Sequence, residues 1–365
     1  GDSYTKSDTI PESGYEFNQE ESYCKIGDNR QDNITLNYNQ DTKELSVTPL
    51  SSKDTKCYLY FDEEPSAVDV ILAGKDIQIR DDFSTIVSGD TTGIIYQAND
   101  GDGTTYYFAG NPTDNWISFG GFYWRIIRFN GDGTIRIIYA GTDPNVTTGD
   151  GTQIGTSTFN SSSNRSEYVG LKYTEGEQHG TTTDSTIMEV LNTWYSSNLT
   201  RYESYIDRNA GFCGDREMAS GYSWSSRPSS DIYYAAYGRL VNNKTPSLEC
   251  SSSDLFTVTG ASKGNGALNN PIGLITADEV VYAGGVYDTH NNDYYLDTGR
   301  TYWTMSPHSY YSTGYALAFY VYATGALVYL NETFSLDVRP VINLRADVEL
   351  TGAGTSTDPY VVEGA

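Results

Sequence analysis

Phe122-Tyr123-Trp124-Arg125-Ile126-Ile127-Arg128-Phe129, then Asn130-Gly131-Asp132-Gly133, then Thr134-Ile135-Arg136-Ile137-Ile138-Tyr139 is the stretch on which the fold turns. Aromatic and β-branched residues crowd both arms, and the four residues between them supply the Asn-Gly and Asp-Gly pairs that suit the positive φ angles of a tight turn. The segment predicts a β-hairpin. Further strands are predicted before it at 104–110 and 116–119, and after it at 302–305, 315–322, 327–330, 338–344 and 360–362.

Helical period is confined to a few places. Ile187, Leu191, Trp194 and Asn198 mark an amphipathic helix from about Asp184, whose carboxylate is the expected N-cap. A short second helix is expected over 200–206. Thr276-Ala277-Asp278-Glu279 reads as a capping box opening a third helix that stops at Gly284-Gly285. The predicted class is α+β, a modest helical layer on antiparallel sheet.

Composition agrees with that class. The 365 residues include 32 tyrosines, and Asp plus Glu number 48 against 23 for Lys plus Arg, a net charge of −25. Such a field repels phosphate backbones and anionic headgroups, so nucleic acid is not an expected partner. No apolar run approaches the roughly 20 residues of a spanning helix, so membrane insertion by this chain is not expected either.

Two domains are expected. Residues 1–64 hold an extended lead to about 19 and a small β-module, with strand-like runs at Asn33-Ile34-Thr35-Leu36-Asn37-Tyr38, Leu45-Ser46-Val47 and Lys56-Cys57-Tyr58-Leu59-Tyr60-Phe61, and a turn at Asn39-Gln40-Asp41. Residues 65–92 read as a connecting strand and spacer, and 93–365 as the larger domain. Four cysteines, Cys24, Cys57, Cys213 and Cys250, are spaced too widely for a CxxC motif and allow three pairings. Cys24 with Cys57 and Cys213 with Cys250 is the preferred pairing, because each bridge then closes a loop of about 35 residues within one domain. A module of this size lacks a sufficient core of its own, which is the physical case for a staple. An even cysteine count in an acidic, Tyr- and Thr-rich chain suits an oxidising exterior.

No catalytic residue and no metal site is assigned. His179, His290 and His308 lie in polar, turn-rich stretches, and no GxSxG, HExxH or nucleotide-binding motif is present. Asn99-Asp100-Gly101-Asp102-Gly103 and Asn130-Gly131-Asp132-Gly133 resemble calcium loops only superficially, since they lack the EF-hand spacing and terminal Glu. Asp288, Asn291, Asn292 and Asp293 form another oxygen cluster beside His290. No cofactor is expected, and calcium is the one ion weighed.

Six tyrosines fall between His308 and Tyr329, where the chain average would place about two. Interleaved with Ser, Thr, Gly and Asn, they have the chemistry of an antibody paratope: large amphipathic contact area at low entropic cost beside adaptable hydrogen-bonding groups. Period-two alternation sends Leu317, Phe319 and Val321 to one face of the strand and Ala318, Tyr320 and Tyr322 to the other.

The order Tyr302-Trp303-Thr304-Met305-Ser306-Pro307, Ala318-Phe319-Tyr320-Val321, Gly325 and Val338-Arg339-Pro340-Val341-Ile342-Asn343-Leu344 resembles the C-terminal part of bacterial variable proteins diversified by retroelements. Their fold is similar to C-type lectins and formylglycine-generating enzymes. Tyr123-Trp124-Arg125-Ile126-Ile127-Arg128, Gly273-Leu274-Ile275-Thr276-Ala277-Asp278-Glu279-Val280 and Ser356-Thr357-Asp358-Pro359-Tyr360-Val361-Val362 are similar to segments of secreted bacterial paralogues.

The resemblance implies a C-type-lectin-like domain in a secreted or cell-surface protein, with Trp303, Phe319, Val321, Arg339 and Pro340 as framework. It implies a ligand-binding face at His308, Tyr310, Tyr311, Ser312, Tyr315, Tyr322, Thr324, Tyr329 and Asn331. From 308 to 338 there is no Lys, Gln, Met or Trp, in keeping with adenine-directed diversification. The enzymes of that fold use a copper-binding cysteine pair, a role not expected of Cys213 and Cys250. The expected partner is a protein or glycan, bound by a monomer that could self-associate. The competing readings are a subunit of a surface filament or cell-wall layer, and an extracellular glycan hydrolase.

Overall fold

The computed structural model describes residues 7, 9–11, 14–39, 42–49 and 53–365. Two units are distinguished, residues 1–70 and 71–365. Most of the regular structure is strand, with few and short helices.

In the first unit, the strand Tyr15–Ile26 lies antiparallel to Thr55–Glu63, and Thr35–Asn39 pairs with Glu44–Thr48. The strand thus starts within the expected lead, and Gln40 and Asp41 of the expected turn lie outside the described residues, as do 1–6. Register places Cys24 opposite Cys57, and the two are disulfide-bonded. The apolar interior is thin. It consists mainly of Leu36 beside the Phe17, Tyr38 and Phe61 rings, whose centroids lie 5.3–5.6 Å apart. So small a core leaves much of the unit's stability to the bridge.

The second unit begins earlier than composition suggests. Asp76–Ile79, within the stretch read from sequence as a connecting strand and spacer, pairs in parallel with Ile94–Asn99 at the edge of a nine-stranded sheet. At the heart of that sheet is the predicted hairpin, β1 (Phe122–Phe129) and β2 (Ile135–Gly141). Asn130 donates its N–H to Thr134 O at 2.8 Å, and Gly133 takes φ of 83°, which closes the turn. Every residue of β2 is buried, because Val341–Leu344 covers its free edge antiparallel. The final strand, Tyr360–Val362, pairs in parallel with Trp116–Phe119 in the same sheet.

Helix α1 (Thr186–Asn198) docks Ile187, Met188, Leu191 and Tyr195, all fully buried. Its cap is Ser185, whose Oγ accepts the Met188 N–H, rather than the expected Asp184. The Asp184 carboxylate pairs instead with Lys172 and accepts from Asn192 Nδ2 in the second turn of the helix, so it is drawn away from the capping position. The second predicted helix is a 3-10 turn, Thr200–Tyr205.

A six-stranded sheet supports the candidate site. β3 (Ile232–Tyr233) pairs with one edge of a long strand. Before that strand in the chain comes α2 (Ala277–Tyr282), with the predicted capping box intact at Thr276 and Glu279. The strand itself is β4 (Tyr302–Tyr311), followed by β5 (Tyr315–Val321) and β6 (Leu327–Asn331) in an antiparallel meander.

Glu279 does more than cap. Its carboxylate meets Arg136 at 2.5 Å and Arg128 at 3.1 Å, and Arg128 reaches Asp100 at 2.7 Å. Burial works against the Glu279 charge, yet Arg136 and Arg128 outweigh it and hold the group below its ordinary range. Removing one member of such a network leaves uncompensated buried charge.

Cys213 and Cys250 are disulfide-bonded, and no cysteine is free. Two bridges fit an oxidising environment. Among the described residues, no helix is long and apolar enough to cross a membrane.

Candidate functional site

β4 does not run regularly against β5. Pro307 lies opposite Ala318 and Ser309 opposite Leu317, so His308 is an extra residue with no partner of its own. A bulge of this kind re-aims the side chain it carries. The His308 imidazole stacks on Tyr329 of β6, with centroids 4.0 Å apart and planes at 17°. Phe319 meets its edge at 4.8 Å and Tyr237 at 5.2 Å.

Around this stack stands a ring of half-buried tyrosines drawn from separate parts of the chain. Tyr233 from β3 packs on Tyr237 at 4.2 Å, Tyr287 lies 6.4 Å from His308, and Tyr311 Oη donates to Tyr329 Oη at 3.2 Å. The more exposed Tyr222 extends the cluster beyond Tyr233 at 5.2 Å. The Lys244 ammonium sits 5.7 Å above the Tyr287 ring, within reach of a cation–π attraction.

Burial sets the electrostatics. His308 is only 1 % exposed, and burial pushes its imidazole down to about 3, so it is neutral at physiological pH. Nδ1 lies 2.8 Å from Ser309 Oγ, while Nε2 has no hydrogen-bond partner among the described residues. Burial, with neighbouring Tyr329, raises Tyr287 to about 12. The Tyr287 phenol therefore stays protonated and can donate as well as accept.

The sequence-predicted face divides. Tyr311 and Tyr329 stand in the cluster, and His308 is beneath it. Tyr310 corrects the expectation of an exposed face. It is 3 % exposed, packs with Tyr168, Val169, Ile232, Tyr234 and Ala316, and donates to Asn164 O at 3.1 Å. The cause is β3, which lies against β4 with Ile232 opposite Tyr310. His308 departs from the same expectation, since its ring is a floor rather than a surface.

Tyr315 and Tyr322 are exposed, but Tyr315 opens β5 and Tyr322 follows its last residue, roughly 20 Å away at strand rise, and they do not share a patch. The Ser312 N–H and hydroxyl both donate to Asp231. The Asn331 carboxamide oxygen accepts from the Thr333 N–H and hydroxyl, and the Thr324 hydroxyl is buried without a partner among the described residues. Leu317, Phe319 and Val321 are buried as alternation requires. Ala318 is buried as well, because both faces of β5 are covered.

Sequence reasoning missed Tyr233, Tyr237, Tyr287 and Lys244. Tyr233 and Tyr237 stand four residues apart within Ile232-Tyr233-Tyr234-Ala235-Ala236-Tyr237, a visible signal, but nothing local ties them to residues 75 positions on.

Among the described residues, no group of three or more His, Cys, Asp or Glu side chains is placed to hold a metal ion. In the two glycine-rich turns the chain's own cations take the carboxylates: Arg128 takes Asp100, and Lys263 takes Asp102 and Asp132. Asn291 donates to Val87 O and Gly284 O, and Asp293 accepts from Asn111.

No protein-family model matches the chain, and no curated protein or solved structure matches it closely enough to support a family or fold assignment.

Proposed function

We propose that this chain is a non-enzymatic, ligand-binding protein of the bacterial exterior, with a C-type-lectin-like second unit of the kind found in retroelement-diversified variable proteins. Its ligand is a protein or glycan. The observation behind this reading is the gathering of Tyr233, Tyr237, Tyr287, Tyr311 and Tyr329, all half-buried, around the unpartnered Nε2 of His308. Aromatic rings so arranged offer apolar faces for stacking and phenol groups for hydrogen bonds. They also cost little entropy on binding, since the ring contacts already hold them.

The residues that recognise ligand in this reading are not one hairpin but a patch assembled from β3, the turn after it, β4 and β6. Tyr315 and Tyr322 lie outside it. The two disulfides support an extracellular setting.

The test is a screen of the wild-type chain and the double variant Tyr237→Ala/Tyr329→Ala on one printed array of glycans and bacterial or host surface proteins. The reading expects ligands that bind the wild type and not the variant, with both proteins folded. A variant that keeps the wild-type profile overturns it.

A further inference from the structure

A second site emerges on the other sheet, independent of the tyrosine cluster. A cavity of about 450 Å³ is lined by Trp116, Arg125, Tyr295, Thr298 and Arg339, among others. That is the size range of a small-molecule site.

Its cations are unusual. Arg125 is 5 % exposed and Arg339 2 %, yet among the described residues no carboxylate lies within 4 Å of either guanidinium. Arg125 donates to Asn115 Oδ1 and Pro112 O, both at 2.6 Å, and Arg339 to Tyr139 O and Leu296 O, both at 3.2 Å. Aromatic faces flank the rest. The Arg125 guanidinium lies 4.4 Å from the Trp116 ring and 5.2 Å from Tyr295, and that of Arg339 lies 4.8 Å from Tyr302.

The nearby carboxyls do not neutralise them. Asp114 gives its Oδ2 to Lys75 and the Gly93 N–H while its Oδ1 is buried without a partner among the described residues, and Asp297, on the cavity wall, accepts the Gly299 N–H at 3.0 Å. Burial, followed by the repulsion of Arg339, brings Arg125 down to about 9 even though Tyr295 and Asp114 oppose the shift. A chain of net charge −25 thus keeps two desolvated cations side by side without a carboxylate partner. Such an arrangement is costly unless an anion completes it.

Two further groups on the same wall are incomplete. The Tyr295 and Thr298 hydroxyls are buried and lack any hydrogen-bond partner among the described residues. Asn111, Asn145, Thr147 and Thr148 add amides and hydroxyls around the opening. An aromatic wall with amides and hydroxyls suits a sugar ring, and paired guanidiniums suit a planar oxyanion in preference to a neutral hydroxyl.

We propose that this cavity binds an acidic monosaccharide, its carboxylate held by Arg125 and Arg339 and its ring oxygens bonded by Tyr295 and Thr298. The test is isothermal titration of the whole chain with sodium D-glucuronate, D-glucose and sodium sulfate at matched ionic strength. It is repeated on Tyr295→Phe and Thr298→Val. Both variants remove a hydroxyl that has no hydrogen-bond partner among the described residues, so their melting temperatures stay at or above that of the wild type.

The expected result is saturable binding of glucuronate, none of glucose, and affinity for glucuronate weakened roughly threefold or more in each variant. Absence of glucuronate binding, equal binding of glucose, or variants that bind as tightly as the wild type overturns the proposal. Binding of sulfate alone overturns the assignment of a carboxylated sugar.

Discussion

His308 lies flat on Tyr329, ring against ring at 4.0 Å, with a nitrogen that finds no partner among the described residues. The pair joins two strands that are not neighbours: β5 runs between β4 and β6, and Phe319 on β5 packs edge-on against His308 at 4.8 Å. The contact depends on the bulge at His308. With regular alternation His308 and Tyr310 would share a face, whereas here His308 and Tyr311 both meet Tyr329 and Tyr310 points into a separate cluster.

That division separates stability from recognition. Tyr310→Ala should destabilise the second unit by about 3–5 kcal/mol, the usual cost of emptying a large aromatic site in a core. Tyr237→Ala and Tyr329→Ala should cost about 1 kcal/mol each and abolish ligand binding. Urea unfolding alongside array binding checks both halves.

The His308 imidazole gives stability a pH dependence of known sign. In the unfolded chain it gains a proton below its ordinary 6.5, while in the fold it stays neutral down to about 3. Its contribution is therefore complete above pH 6.5 and is lost as pH falls from 6.5 towards 3. His308→Phe keeps the stack, and thermal melts between pH 7 and 4 should show a smaller fall in Tm than in the wild type.

Glu332 acts in the opposite direction. It follows β6, is fully buried, and both carboxyl oxygens lack a partner among the described residues, so burial raises it well above 4.5. As pH rises past 4.5 the unfolded chain ionises and the fold does not, so stability falls with rising pH. Glu332→Gln should remove that slope and raise Tm at pH 7 while leaving it nearly unchanged at pH 4.

Glu279→Gln should be among the most damaging conservative changes. It withdraws charge from between Arg136 and Arg128, at an expected cost of about 3–5 kcal/mol measured by denaturant unfolding. Thr276→Ala removes only the cap bond of the same helix and should cost about 1 kcal/mol.

Mild reduction should act first on the small unit. A bridge closing a 33-residue separation contributes about 4 kcal/mol on the chain-entropy estimate, and little else holds the thin core around Leu36. Amide exchange on Cys24→Ala/Cys57→Ala should show residues 15–63 unprotected while the hairpin β1–β2 keeps its protection.

What sequence made legible was local. The β1–β2 hairpin follows from Asn130-Gly131-Asp132-Gly133, the α2 cap from four consecutive residues, and both disulfides from spacing within each unit. What it hid was tertiary. Ser185 won the α1 cap because Lys172, thirteen residues upstream of it, engages Asp184. Asp76–Ile79, expected only as part of a connector, joined the large sheet because a parallel partner lay at Ile94–Asn99. Tyr310 was buried by a strand 78 positions earlier, and Tyr287 reached the site from a loop with no repeat or period to announce it.

The central claim is that ligand settles on the tyrosines around His308. NMR with ring-labelled tyrosine, titrated with the strongest ligand from the array, tests it most directly. The account predicts the largest shifts at Tyr233, Tyr237, Tyr287, Tyr311 and Tyr329, with Tyr315 and Tyr322 unmoved. Shifts centred on Tyr315 or Tyr322, with that cluster silent, would contradict it.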